Sequence, residues 1–205
     1  MPNKKVRGKG LWGDLQRVYD TYESHSYTED PPDEPFKEHW EAVGERAALV
    51  FLGMPVWPML LFRLRVFLYE NDVPGLPYVC DRLSTMLWHV TIGRYVTIGE
   101  RPFFAHGEVV IDGRVVIGDD CALSPWVTIG LSGRRKFGFD ARGTIVGNRV
   151  FIGTGAKVLG PITIGDDVRI GANSVVIDDV PSGSTVVGAP ARIVHSHAPF
   201  VAQQT

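Results

Sequence analysis

From residue 92 to residue 176 an aliphatic or aromatic residue returns every sixth position, and this period limits how the chain can fold more than any other feature. Ile92, Ile98, Phe104 and Val110 make the first run, and Ile117, Leu123 and Ile129 resume after one extra residue. Val146, Ile152, Val158, Ile164, Ile170 and Val176 then continue without a slip. A second column, four places on, holds Val96, Cys121, Val127, Val150, Ala156, Ile162, Val168, Ser174 and Val180. Gly follows the first column at 93, 99, 118, 130, 147, 153, 165 and 171. A period of six belongs neither to an α-helix nor to simple strand alternation. A short fixed repeat is the mark of a solenoid. Each hexad supplies one short strand and one turn, so three hexads close a triangular coil whose aliphatic column stacks on itself. Thirteen hexads predict about four coils. The expected fold is mainly β, with an α-helical segment at the N-terminus.

The period breaks twice. Residues 102–111, PFFAHGEVVI, contain His106 where the repeat stumbles, and Glu108 and Arg114 fall where the second column calls for apolar residues. Between Ile129 and Val146, LSGRRKFGFDARG has no hexad and must leave the coil as an excursion, placed at 130–145. Solenoid insertions gather on one face, often the binding face.

The residues before the repeats read differently. Residues 1–10 are basic and polar and are expected to be disordered, and YTEDPPDEPFKEH (27–39) is an acidic, proline-rich linker. Helical spacing is weak over 11–22 and clearer over 36–65 and 78–88, with Pro74-Gly75-Leu76-Pro77 as a turn. The expected division is a helical segment over 1–88, repeats over 89–194 and a C-terminal tail over 195–205. Residues 47–62 carry no charge, but sixteen residues interrupted by Gly53, Pro55 and Pro58 fall short of a membrane span of about 20. A pair of buried helices broken at the prolines is the reading taken, with contact at a membrane surface as its alternative.

A net charge of −2 over 205 residues gives no overall basic character to suggest nucleic acid as a partner. Cys80 and Cys121 are too few for a framework and are expected as buried reduced thiols. No apolar core follows the basic start, so a cytoplasmic location is expected.

The block 145–194, with GAKVLGPITIGD, IGANSVV and DVPSGSTVVGAPAR, resembles the C-terminal half of the serine acetyltransferase group of hexapeptide-repeat acyltransferases. LFRLRVFLYENDVPGLP, ahead of the repeats, resembles the helix leading into them, so the likeness covers about 60–194. It implies a left-handed parallel β-helix, a trimer with clefts between subunits, and acetyl-CoA as acyl donor with no metal. The left hand comes from the resemblance, since physical rules favour right-handed crossovers.

The resemblance also supplies a role for His106, because the group carries His-Gly or His-Ala before a short valine run, as in His106-Gly107 before Val109-Val110. A hydroxyl is a poor nucleophile until a base takes its proton, and an imidazole with a near-neutral pKa can do so and later return it. Glu108 or Asp112 could orient that ring, or be plain surface carboxylates. The oxyanion formed at the thioester carbon needs a donor, expected among residues 128–133, which include Gly130 and Ser132. CoA is expected along the coil beside Gly130, Ala156 and Ala172, with Lys157 and Arg192 at its phosphates or in structural ion pairs. Arg134, Arg135 and Lys136 could meet a CoA phosphate or an acidic acceptor, or form a solvated loop.

Four differences from the serine enzymes direct the expected acceptor elsewhere. Ala105 stands where they have Asp before the base, and Asp140-Ala141-Arg142-Gly143 replaces their Arg-His-Pro phrase, with Arg142 near the missing histidine. The helical part is shorter, and the chain ends VAQQT. The expectation is therefore an O-acetyltransferase acting on a sugar, polysaccharide unit or small metabolite. Serine O-acetyltransferase and a non-catalytic scaffold are the alternatives. A zinc hydratase on this fold needs about three converging histidines, and residues 92–194 hold only His106.

Overall fold

The computed structural model describes residues 56–131, 133–134, 138–139 and 143–196. The expected disordered tail, acidic linker and first helices lie outside them.

Two helices, α1 (Val56–Glu70) and α2 (Leu76–Trp88), open the described chain. Pro58 sits in the first turn of α1, where a missing N–H costs nothing, and the helix runs on past Arg65 to Glu70. Gly75 takes φ 80° ahead of α2. His89 ends α2 in the left-handed region, and the N–H groups of His89 and Val90 close back on Thr85 and Ser84 carbonyls.

The remainder is a left-handed parallel β-helix, mainly β as expected. Strands are numbered in chain order. The first face stacks β1 (Thr91–Ile92), β4 (Val110–Ile111), β7 (Thr128–Gly130), β12 (Lys157–Leu159) and β15 (Val175–Val176). The second stacks β2 (Thr97–Ile98), β5 (Val116–Ile117), β10 (Ile145–Val146) and β13 (Thr163–Ile164). The third stacks β3 (Phe103–Phe104), β6 (Ala122–Leu123), β11 (Phe151–Ile152), β14 (Arg169–Ile170) and β16 (Ser184–Val187). All these neighbours pair in parallel, and β17 (Arg192–Ser196) folds back antiparallel on β16. In the excursion, β8 (Gly133–Arg134) and β9 (Gly138–Phe139) pair antiparallel.

One inward residue per strand forms the core. Ile98, Phe104, Ile111, Ile117, Leu123, Ile129, Ile152, Ile164 and Ile170 are all at most 1 % exposed. Each contributes about 1.5–3 kcal/mol by leaving water. The glycine after the inward residue is required by the approach of successive coils. A Cβ on Gly118 would stand 2.6 Å from the Gly147 carbonyl oxygen, and one on Gly147 would stand 2.8 Å from the Gly165 carbonyl carbon.

The ladder corrects the register at the first break. Phe104 pairs with Leu123 and Ile111 with Ile129, so seven residues separate the inward positions in one coil and six in the next. Ile111 is therefore the inward residue, while Val110 faces out at 40 % exposure. Val109 and Val115, both fully buried, fill the second column in place of Glu108 and Arg114. The extra residue belongs to the turn 105–109, the one that carries His106.

At the corner between the second and third faces, Arg101, Asp120, Arg149 and Asp167 all adopt positive φ and stack as a column of alternating charge. Arg101 bridges Asp120, and Arg149 meets both Asp167 oxygens at 2.7 Å. Hydrogen bonding from Arg149 holds the Asp167 carboxyl below its ordinary value. A lowered folded-state pKa stabilises at pH values above the unfolded one and is lost as pH falls through the folded one. The melting temperature of Arg149→Gln should fall below that of the parent at pH 7, and the gap should close between about pH 5 and pH 3. A gap independent of pH would mean that the pair contributes nothing electrostatic.

Cys80 and Cys121 are buried free thiols. Burial pushes the Cys121 thiol up to about 11.

Candidate active site

His106 lies exposed on the turn between β3 and β4, at the corner joining the third face to the first. Helix α2 braces that turn. The Glu108 N–H donates to the Trp88 carbonyl at 3.1 Å, and Trp88 stacks on Trp57 of α1 with centroids 6.5 Å apart. Gly107 is buried against the same carbonyl, where a Cβ would stand 2.0 Å from the oxygen. Gly107→Ala must push the turn off α2. It should lower the melting temperature and, because it moves His106, lower turnover more than a distant substitution of equal destabilisation. Unchanged melting and turnover would show that the bracing is not needed.

Below the His106 turn the corner continues coil by coil. The Trp126 N–H donates to the Glu108 carbonyl at 2.9 Å, Gly155 N–H to the Pro125 carbonyl, and Asn173 N–H to the Thr154 carbonyl. Glu108, Trp126, Gly155 and Asn173 all have positive φ. Ala172, exposed, lies three strand spacings from His106, roughly 14 Å. Arg192 ends the same edge, where the Ala191 N–H donates to Val175 and the Val175 N–H to Gly188. His106, Glu108, Ala172 and Arg192 are thus brought onto one edge, with Lys157 at the start of β12 beside it.

Other candidates are placed differently. Ala156 is fully buried in the interior column, so its small side chain serves the coil and lines no surface groove. Gly130 lies at the far end of β7, where no described atom comes within 4 Å of a Cβ built on it. The Lys157 Nζ donates to the Trp126 carbonyl at 2.6 Å and to the Thr128 hydroxyl at 3.0 Å. Arg192 reaches Asp178 at 3.8 Å, with both side chains largely in water, a contact worth little. Asp112 sits at the far end of β4 from His106, where its carboxylate accepts the Gly113 N–H at 2.8 Å. Ser132, Arg135, Lys136 and Arg142 lie outside the described residues.

Trp126 was not among the residues singled out in the sequence. Its indole is 57 % exposed one coil below His106, and its carbonyl and N–H tie Lys157 to the His106 turn. A tryptophan at the corner position of a hexad, where Gly155 and Asn173 stand in later coils, was the available signal.

Coils of this period, with an exposed histidine turn at one edge and an excursion leaving between coils, define a hexapeptide-repeat transferase. Residues 143–178 match the family model for the bacterial transferase hexapeptide (six repeats). The chain is 37 % identical over 159 residues to the serine acetyltransferase of Helicobacter pylori (strain J99), covering 77 % of this chain and 87 % of that protein. It belongs to the serine acetyltransferase family. The serine acetyltransferase of Synechococcus elongatus is 40 % identical over 138 residues, and there the match spans only 55 % of the relative's length. Among solved structures, the serine acetyltransferase of Brucella abortus in complex with coenzyme A superposes with a TM-score of 0.73 at 27 % identity, covering 91 % of this chain and 67 % of that one. That of Neisseria gonorrhoeae gives 0.72 at 27 % identity, covering 92 % and 66 %.

These relatives correct the acceptor expected from the sequence. A sugar or polysaccharide unit is not supported, and serine O-acetyltransferase, the alternative, fits the relatives better. The inference from Ala105 and residues 140–143 weighed a few local differences above a likeness that runs through most of the chain.

Proposed function

We propose that this chain is an acetyl-CoA-dependent serine O-acetyltransferase with His106 as its general base. The observation that carries this reading is the exposed His106 turn in a member of the serine acetyltransferase family. Acetyl-CoA supplies an acetyl group on a thioester. His106 accepts the proton of the serine hydroxyl as its oxygen bonds to the acetyl carbon. As the carbon–sulfur bond breaks, the imidazolium returns that proton to the departing thiolate, so CoA leaves as the thiol and the base is regenerated each turn. The open edge from His106 to Arg192 suits an extended donor. Ala172, small and exposed, leaves the backbone approachable there, and Lys157 and Arg192 are proposed for its phosphates. Gly130 lies at the opposite end of β7 from the His106 edge, so it, with Ser132 and Arg142 of the excursion, is proposed to serve the oxyanion and the acceptor at a neighbouring subunit's His106.

The working unit is proposed to be a homotrimer. Outward-facing apolar pairs support this: Val116 beside Ile145 on the second face, and Ala122 beside Phe151 on the third. A cytoplasmic location is proposed on the two reduced thiols. Among the described residues no helix is long and apolar enough to cross a membrane.

The test is thiol release from acetyl-CoA with L-serine, beside amino sugars, nucleotide sugars and simple glycosides. Release with serine well above the rest is expected. Release with none of them, and no binding of acetyl-CoA by calorimetry, would overturn the reading.

A further inference from the structure

At the corner between the first and second faces, the far edge of the first face from His106, four side chains form a cluster that the acetyl-transfer reading does not use. Arg94 and Tyr95 lie on the turn between β1 and β2, Arg114 on the turn above β5 one coil on, and Tyr69 comes from α1. The Arg94 guanidinium carbon lies 5.0 Å from the centre of the Tyr69 ring and 5.9 Å from that of Tyr95. The Arg114 guanidinium carbon lies 6.0 Å from the same Tyr95 ring. Two cations thus gather on one aromatic ring that is itself 66 % exposed.

Their ring contacts set them apart. Elsewhere on the molecule Arg63 and Arg65 cap strand-end carbonyls, and Arg101 and Arg149 are bridged by aspartates. Arg82 and Arg169, exposed and likewise without a hydrogen bond or ion pair among the described residues, stand over no described ring. Among the described residues, neither Arg94 nor Arg114 makes a hydrogen bond or ion pair. An aromatic ring holds a guanidinium by its face and leaves the N–H donors along its edge available. Such an arginine is already oriented for an oxyanion and loses little freedom in binding one. One carboxylate is satisfied by a single guanidinium fork. A phosphoryl group, with three oxygens in different directions, can take both.

We propose that Arg94 and Arg114, held on Tyr95 and Tyr69, form a binding site for a phosphoryl group, distinct from the His106 edge. The phosphoryl group belongs either to a separate phosphorylated small molecule or to the nucleotide end of the donor. The binding claim itself does not depend on the acetyl-transfer reading.

The probe is inorganic pyrophosphate, titrated by calorimetry at low ionic strength into the full chain without CoA. The parent should show one saturable site. Arg94→Gln and Arg114→Gln should each weaken it at least tenfold, and the double variant should abolish it. Tyr95→Leu keeps both charges and removes the platform, so it should weaken binding several-fold. Arg169→Gln, which removes an exposed guanidinium on the third face, should leave it unchanged. Melting curves establish that each variant is folded. The proposal fails if the parent shows no saturable binding, if the double variant binds as the parent does, or if Arg169→Gln weakens binding as much. With the pyrophosphate result in hand, CoA is titrated into the parent and the double variant. A loss of CoA affinity assigns the phosphoryl group to the donor, and unchanged CoA affinity assigns it to a separate ligand.

Discussion

His106→Ala should lower turnover with acetyl-CoA and L-serine by about 10²–10⁴, the usual contribution of a positioned general base. The imidazole is exposed on a turn and has no hydrogen bond among the described residues, so removing it breaks nothing in the fold. Melting temperature, oligomeric state and affinity for acetyl-CoA should therefore stay near those of the parent. His106→Asn, which keeps polarity without a base, should be as inactive. The check is thiol release at saturating substrates, with calorimetry for the donor. Turnover within tenfold of the parent would remove His106 from the chemistry and leave the Glu108–Arg192 edge to be searched for another base.

The second large effect is on stability. Arg65 lies 2 % exposed between α1 and the first coil, where it meets Asp81 of α2 at 2.6 Å. It also donates to the carbonyl oxygens of Ile92 and Gly93, the latter at 3.2 Å. Strand β1 begins the first face and, among the described residues, has no coil above it, so the Ile92 carbonyl depends on Arg65, while the Gly93 carbonyl also accepts the Val96 N–H at 3.3 Å. Arg65→Met keeps much of the volume and strands Asp81 and the Ile92 carbonyl. Removing one partner of a buried pair costs roughly 3–5 kcal/mol, and the lower end applies because Asp81 is part-exposed. For a chain of this size that is a fall in melting temperature of about 6–12 °C. A fall under about 2 °C would show that the coil end is held by apolar packing alone.

The two effects concern the same stretch of architecture. Helices α1 and α2 close the open end of the coil through Arg63 and Arg65, and α2 also sets the His106 turn through Trp88. Fold and candidate site therefore share one support. Gly107→Ala tests that link from the site's side, and Arg65→Met tests it from the fold's side.

The architecture was legible in the sequence because a coil of three short strands imposes a single spatial requirement at every sixth residue. Inward residues must be apolar, and the next must be small where one coil passes over another. Ile98-Gly99, Ile117-Gly118, Val146-Gly147 and Ile164-Gly165 state that requirement without any structure. His106 stood out for the converse reason, because it lies in the stretch where the repeat yields, and its proposed role came from the family resemblance. The acceptor was read wrongly. A few changed residues near a site weigh less than the likeness that runs through the rest of the chain.

What the sequence by itself determined is the period, the coil and the stretch where the repeat yields. What only the tertiary structure decided is where within that stretch the extra residue goes. Val109, Val110 and Ile111 are all aliphatic, so hydrophobicity alone lets any of them point inward. Pairing Ile111 with Ile129 and Phe104 with Leu123 leaves one placement, the turn 105–109. Hydrogen bonds between coils distinguish residues that burial energy cannot. They likewise gathered Arg94, Tyr95 and Arg114 from two separate turns onto one corner.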